Sequence, residues 1–117
     1  MKEIKAYVHR NRIADVIDAL EGSGLVARTS VPGVRNINVT SIHSLLKPVD
    51  TIEQQYSVEL GEAVIAEVRL ELVCEDDQVD ALVELIEKTA RTGQVVAGWI
   101  IVSDIVQALV VSGARAR

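Results

Sequence analysis

The chain has 117 residues, of which 49% are hydrophobic and 25% are charged, and its formal net charge is −5. This size and composition are ordinary for a globular domain, so we predict one domain over residues 1–117. The negative charge argues against general electrostatic binding to nucleic acid, and no apolar run approaches the roughly 20 residues of a membrane-spanning helix, so we expect no nucleic-acid partner and no direct membrane insertion.

The first elements are a strand, a helix and a second strand. Polar and apolar residues alternate over 2–8, which predicts a half-buried strand. Asn11 is a favourable N-cap, and the apolar residues after it follow helical spacing until Gly22 and Gly24 end the helix. Alternation returns over 36–42 and predicts the second strand.

The middle of the chain combines a connection, a long strand and a second helix. Residues 44–55 have no long apolar period and are predicted to form an exposed connection. Alternation over 56–74 predicts one long strand, with a bulge or bend at Gly61. The acidic residues 75–77 open a helix, because carboxylates are favoured at a helix N-terminus, and 79–86 contain its buried stripe.

The last predicted elements follow Gly98. The apolar run 99–102 indicates the final long strand. Ser103 and Asp104 are predicted to cap a short helix over 105–109, and Val110 and Val111 are predicted to add a short edge strand.

The order β-α-β-β-α-β predicts an α+β, ferredoxin-like fold, with an antiparallel sheet and both helices on one face. Alternating residues on the opposite face of the sheet are partly apolar. An exposed apolar face of this size indicates association with another molecule.

Several segments of the chain resemble the PII signalling proteins. The most specific is Thr89-Ala-Arg-Thr-Gly93, followed by Gly98 and an apolar strand. The segment 36–42 resembles the second strand of that family, with its Thr-Val-Thr-like pattern, and 68–77 resembles the third strand and its turn into a helix. The resemblance covers most of the chain and implies a ferredoxin-like homotrimer with nucleotides in clefts between subunits.

The resemblance also implies a set of ligand-binding positions. One group belongs to the second strand, and the other to the loop that covers nucleotide phosphates in the family. They are Thr40, Ile42, His43, Arg91, Thr92, Gly93, Gly98 and Trp99. The implied function is non-enzymatic regulation, in which a small effector controls a membrane transporter or a metabolic enzyme through the 44–55 loop.

This chain departs from the family pattern at the expected phosphate contacts. Trp99 stands where the family has a phosphate-binding lysine, and Val110 and Ser112 stand where the family has two arginines. Each charge-assisted hydrogen bond is worth roughly 1.5–3 kcal/mol, so their loss disfavours a triphosphate. ADP and AMP are therefore the favoured nucleotides, and the identity of the effector stays open.

Several of these residues also have an explanation that involves no bound ligand. Arg91 and Gly93 also suit an ordinary helix C-terminus. Trp99 is explained by packing in the core or in an interface, as well as by stacking on a base. His43 is a candidate metal ligand, but its sequence neighbours provide no metal-binding motif, and a surface or polar-network role is the favoured explanation.

Three functions remain open from the sequence. The first is the PII-like regulator, the second is a metal-responsive accessory protein of a cation transport system, and the third is a structural trimer without a ligand. The sequence contains no recognisable nucleophile motif, phosphate-binding P-loop or catalytic carboxylate pair, so we expect no enzyme. One cysteine and the absence of a signal-peptide pattern after Met1 lead us to expect a cytoplasmic protein.

Overall fold

The computed structural model describes residues 1–25, 35–45, 54–57, 62–93 and 98–109. These residues form five strands, two α-helices and a short 3-10 helix. In chain order they are β1 (Lys2–His9), α1 (Ile13–Gly22), β2 (Arg35–Ser44), β3 (Gln54–Ser57), β4 (Glu62–Cys74), the 3-10 helix (Asp76–Gln78), α2 (Val79–Ala90) and β5 (Gly98–Asp104).

The sheet has the strand order β2-β4-β1-β5, and all its pairs are antiparallel. Ala6 at the centre of β1 lies opposite Leu70 of β4 on one side and Ile100 of β5 on the other. Val39 of β2 lies opposite the other side of Leu70. β2 and β5 therefore lie on opposite sides of the central pair β4 and β1.

The hydrophobic core lies between one face of this sheet and the two helices. Alternate residues of β1 and β4 face the helices, as expected for strands with one buried face. Their partners come from the apolar stripes of α1 and α2. The fully buried cluster contains Ile4, Ala6, Val8, Leu70, Leu72 and Cys74 from the strands, and Val16, Leu20, Leu82 and Ile86 from the helices. This arrangement confirms the predicted ferredoxin-like α+β fold.

The prediction of one long strand over 56–74 is wrong. Tyr56 lies in β3, where it pairs antiparallel with Ala63 of β4, so the chain reverses direction between Ser57 and Glu62. An alternating pattern continues through a hairpin as readily as along one strand, and the pattern alone does not distinguish them. The predicted bulge at Gly61 lies outside the described residues.

β3 has a defined place beside β4. Ile65 of β4 lies opposite both Ser44 of β2 and Gln54 of β3. A strand residue has one directly opposed partner on each side, so β2 and β3 lie along opposite edges of β4. The predicted connection over 44–55 is wrong at its ends, since Ser44 belongs to β2, and Gln54 and Gln55 belong to β3. Residues 46–53 lie outside the described residues.

The predicted N-cap at Asn11 is also wrong. α1 begins at Ile13, and Arg12 is its N-cap residue, without a capping side-chain hydrogen bond. The Asn11 N–H instead donates to Nδ1 of His9 (3.1 Å), and the Arg12 N–H donates to the His9 carbonyl (2.8 Å). The turn that follows β1 thus uses Asn11 locally and places Arg12 at the start of the helix.

The start of α2 agrees with its prediction. Glu75 precedes the 3-10 helix, and its N–H donates to Oε1 of Gln78 (3.2 Å). Asp76 and Asp77 occupy the first turn, where the helix dipole favours carboxylates.

The helix predicted over 105–109 is not present. The described residues after β5 are not helical, and the Ile105 N–H donates to the Met1 carbonyl (3.1 Å). This bond continues the β1–β5 pairing, and it outweighs the local capping signal of Ser103 and Asp104. The predicted edge strand at 110–111 lies outside the described residues. Among the described helices, none has the length and apolar character needed to cross a membrane.

Candidate functional site

The predicted residues of β2 lie on both faces of the sheet. Thr40 is exposed and lies opposite Arg69, and Ile42 is half-buried and lies opposite Glu67. Both are on the face of the sheet that carries no helix. His43 is exposed on the other face, opposite Ala66. A ligand site on the helix-free face would therefore include Thr40 and Ile42, but not the His43 side chain.

The predicted loop residues Arg91, Thr92 and Gly93 follow directly after α2. Arg91 has an extended backbone (φ −62°, ψ 135°), which ends the helix. Its Nη2 lies 3.5 Å from Oε1 of Glu87, and both side chains are exposed. Gly93 has φ 87°, a left-handed conformation that favours glycine. This geometry fits a turn over an anion and also an ordinary helix exit, and residues 94–97 lie outside the described residues.

Gly98 begins β5 at a very close approach to β1. A Cβ atom at this position would lie 1.9 Å from the Tyr7 carbonyl oxygen, far inside van der Waals contact. Only glycine fits this backbone position without movement of a neighbouring strand. The need for glycine at 98 is therefore explained by strand packing, and a role in ligand binding is an addition to that.

Trp99 is displayed on the surface of this subunit. Its side chain is 57% exposed and lies on the helix-free face, opposite Tyr7. This placement excludes the explanation of Trp99 as a core residue of the single subunit. Packing in an interface and stacking on a ligand are the two explanations that remain.

The two groups of site residues lie at opposite edges of the sheet. Thr40, Arg69, Tyr7 and Trp99 form one row across β2, β4, β1 and β5. Three strand spacings of about 4.8 Å place Thr40 and Trp99 about 14 Å apart along this row. Within one subunit the structure does not bring the β2 residues into contact with those of β5.

A charged group that the sequence analysis did not select lies beside the predicted loop. Arg12 donates two hydrogen bonds to the Thr89 carbonyl, from Nε (3.1 Å) and Nη2 (2.8 Å). Its Nη1 forms an ion pair with Asp15 Oδ2 at 2.8 Å. The sequence feature that points to Arg12 is a positive charge at the start of a helix, where the helix dipole disfavours positive charge.

The helix-free face carries paired charges between its apolar residues. Lys5 Nζ lies 3.7 Å from Glu3 Oε1, and Arg69 Nε lies 2.6 Å from Glu71 Oε1. The second contact is an ion pair without hydrogen-bond geometry, since Arg69 Nε is buried and has no hydrogen-bond partner. Half-exposed ion pairs of this kind contribute about 0–1 kcal/mol each to the stability of the fold.

The far end of the sheet holds polar contacts of a different kind. The N-terminal ammonium of Met1 lies 2.6 Å from Asp76 Oδ1, and this hydrogen bond lowers the pKa of the Asp76 carboxyl. Lys2 forms an ion pair with Asp104, and the hydrogen bond from Lys2 to that carboxylate raises the Lys2 pKa. Burial raises the pKa of the free thiol of Cys74, which keeps it protonated and unreactive. These contacts hold strand ends together, away from the predicted site.

The described residues offer no support for a metal centre. Among them, no group of three or more His, Cys, Asp or Glu side chains is placed to hold a metal ion. His43, the predicted ligand, lies beside Ala66 in the sheet register.

The fold and these segments place the chain in a class of ferredoxin-like domains with a glycine-bearing connection between the second helix and the last strand. A family model described as "Nitrogen regulatory protein P-II" matches residues 1–115. The chain therefore belongs to the P-II family, and the PII resemblance seen in the sequence is confirmed.

Individual relatives support the same conclusion. The chain is 36% identical over 111 residues to "Nitrogen fixation nifHD region glnB-like protein 1" of Methanococcus maripaludis, covering 95% of this chain and 93% of the relative. It is 27% identical over 106 residues to "Nitrogen regulatory protein P-II 1" of Methanothermobacter thermautotrophicus, covering 91% and 84%. It is 27% identical over 109 residues to "Nitrogen regulatory protein P-II" of Porphyra purpurea, covering 93% and 89%. Two of these names state nitrogen regulation, and the third refers to a nitrogen fixation region.

Proposed function

We propose that this protein is a non-enzymatic, cytoplasmic regulator that acts as a homotrimer of single-domain subunits. In this proposal a small effector, with ADP or AMP favoured, binds in the clefts between subunits. Binding then changes how the 44–55 segment engages a membrane transporter or a metabolic enzyme. Membership of the P-II family supports the regulatory role, since P-II proteins are generally trimers that interact with partner proteins.

The separation of the site residues carries the proposal. Thr40 and Ile42 lie on β2, and Gly98 and Trp99 lie on β5, at opposite sides of the central strand pair. A ligand that contacts both groups needs the β2 edge of one subunit to approach the β5 edge of another. An arrangement around a threefold axis makes this contact three times with the same surfaces.

The exposed surface of β5 supports association at that edge. Trp99 is 57% exposed, Ile101 is 46% exposed and Val102 is 42% exposed. These residues project from both faces of β5, which ends the sheet order, and none of the described strands pairs with its outer side. Exposed apolar edge strands favour association, and a neighbouring subunit would bury all three side chains.

The substitution of Trp99 for lysine supports a nucleotide with fewer phosphates. An indole ring offers apolar area and one N–H donor, but no positive charge. In the proposed cleft Trp99 packs against the neighbouring subunit or the base, and the outer phosphates lack a cation at this position. ATP therefore loses its advantage over ADP and AMP.

Calorimetric titration of the purified protein tests the proposal. The ligands are AMP, ADP, ATP, cyclic AMP, bicarbonate and divalent metal ions, each added separately. We expect ADP or AMP to bind at least as tightly as ATP, with saturation at one ligand per subunit. ATP binding tenfold tighter than both would contradict the interpretation of Trp99, and the absence of any nucleotide binding would contradict the proposed site.

A charge-restoring variant makes this test sharper. Trp99→Lys should raise the affinity for ATP by roughly 10- to 150-fold, since one charge-assisted hydrogen bond is worth roughly 1.5–3 kcal/mol. It should change the affinity for AMP much less. Trp99→Leu is the matched control, because it also removes the indole ring but adds no charge.

A further inference from the structure

Arg12 links the start of one helix to the end of the other. Its side chain is half-buried, and two of its nitrogen atoms donate to the carbonyl of Thr89 in the last turn of α2. The remaining terminal nitrogen pairs with Asp15 in the first turn of α1. The guanidinium is thus held on two sides and has a fixed position.

The location of Arg12 is unfavourable by local rules. It occupies the N-cap of α1, where Ser, Thr, Asp and Asn are preferred, and where the positive end of the helix dipole repels a cation. Asp15 offsets part of that repulsion. Sequences usually break a local rule where another interaction compensates, and here that interaction is the pair of bonds to Thr89.

The C-terminal end of α2 disfavours negative charge, whereas the start of α1 disfavours positive charge. The last carbonyl groups of a helix lack partners within it and carry the negative end of the dipole, so an anion is disfavoured nearby. The segment of Arg91, Thr92 and Gly93 leaves the helix at this point. A phosphate over this segment needs those carbonyl groups to be neutralised or turned away.

We propose that Arg12 is a positioning residue that prepares the segment 91–93 for an anionic group. It saturates the Thr89 carbonyl and brings a positive charge to the negative end of α2. It also fixes the residue at which the helix ends, and therefore the direction in which 91–93 leave. This inference rests on the proposed binding of a phosphorylated ligand at that segment.

The neighbouring charged side chains do not make the contacts with Thr89 that Arg12 makes. Lys88 is exposed in the last turn of α2 and is not among the groups that hydrogen-bond the Thr89 carbonyl. Arg91 is turned back toward Glu87 on the helix surface. The Thr89 hydroxyl donates to the Leu85 carbonyl (2.8 Å), and not to the carbonyl of Thr89.

The first arm of the experiment measures ligand binding. Arg12→Met retains the aliphatic stem and removes the charge and the donors, and Arg12→Lys retains the charge alone. Lys88→Gln is the matched control, because it removes a cation from the same helix end without breaking a bond to Thr89. ADP and the uncharged nucleoside adenosine are the probes, both titrated by calorimetry.

We expect Arg12→Met to weaken ADP binding about fivefold, the size of a helix-terminus charge effect near 1 kcal/mol, and to leave adenosine binding unchanged. Arg12→Lys should show a smaller loss, and Lys88→Gln a loss below twofold. An equal loss for ADP and adenosine, or no loss for ADP, would overturn the proposal, since a residue needed only for folding does not distinguish the two probes.

The second arm needs no ligand and separates this inference from the proposed function. Amide exchange of Ala90–Gly93 should be about tenfold faster in Arg12→Met than in the unmodified protein, and almost unchanged in Lys88→Gln. If the unmodified protein binds no ADP, the proposed function fails and this arm alone decides the role of Arg12. Unchanged exchange in Arg12→Met would then overturn the positioning role.

Discussion

Among the glycines that the structure describes, Gly98 is the one where an added methyl group meets the closest neighbouring atom. The β1 backbone approaches it so closely that an added Cβ would lie 1.9 Å from the Tyr7 carbonyl oxygen. Gly98→Ala should lower the free energy of unfolding by about 3 kcal/mol, because β5 must move away from β1. Chemical denaturation measures the effect.

Gly22→Ala is the control for that variant. No atom lies within 4 Å of a Cβ built at Gly22, and alanine is favoured over glycine in a helix by roughly 0.5–1 kcal/mol. This control should be as stable as the unmodified protein or slightly more stable. A Gly98→Ala protein with unchanged stability would show that the β1–β5 spacing adapts.

The buried thiol of Cys74 makes the stability of the protein depend on pH. Burial raises the pKa of its thiol above the ordinary value of 9.0, so above that pH the unfolded chain loses this proton more readily than the folded chain. The free energy of unfolding should therefore fall as the pH rises above 9.0. Cys74→Ala removes this contribution, so the stability difference between the two proteins should shift in favour of the variant between pH 8 and pH 10.

Thiol reactivity provides an independent check of the same property. A disulfide reagent should modify Cys74 very slowly in the folded protein at pH 8 and rapidly in denaturant, because the thiolate is the reactive form and the side chain is buried. Rapid modification of the folded protein would contradict the described burial.

At the scale of elements, α2 is held to the sheet by a small number of side chains. Leu82 is fully buried within the core cluster. Leu82→Ala should cost about 2–5 kcal/mol of stability, the range for truncating a buried leucine. Glu84→Ala, at an exposed position of the same helix, should change stability by less than about 0.5 kcal/mol. Equal effects from both variants would contradict the assigned core face of α2.

The elements that can be predicted well from the sequence have a clear apolar periodicity within their own segment. β1, α1 and α2 each show one apolar face, and that face is determined within the segment itself. β3 was missed because hairpin and strand share the same alternation, and the helix at 105–109 was wrongly predicted because a capping pair was outweighed by pairing with Met1. Arg12 was missed for a similar reason, since its partner Thr89 is distant in the sequence.

The residues of the candidate site can be selected from the sequence, but the arrangement that would bring them together cannot. Local patterns identify which residues belong to a segment, but strand order determines which segments meet. Thr40 and Trp99 are predicted to line clefts between subunits, and the order β2-β4-β1-β5 places them at opposite edges of the sheet within one subunit. Whether another subunit joins them depends on an interface that lies beyond one chain.

At the scale of the whole molecule, that interface is open to a direct test. Light scattering at micromolar concentration should give the mass of a trimer. Ile101→Glu should shift the protein toward monomer, because it places a charge on the exposed β5 surface. Ala81→Glu adds the same charge at an exposed position of α2 and should leave the trimer intact. A monomer mass for the unmodified protein would contradict the trimer.

The placement of β3 has a mechanical consequence. The segment that begins after Ser44 and ends before Gln54 is attached to β4 on both sides, with both anchors opposite Ile65. A partner that pulls on this segment therefore pulls on β2 and β3, and through their pairing the force reaches β4 from both of its edges at once. Leu70 and Leu72 of β4 lie in the core, so a displacement of β4 would disturb the packing beneath both helices.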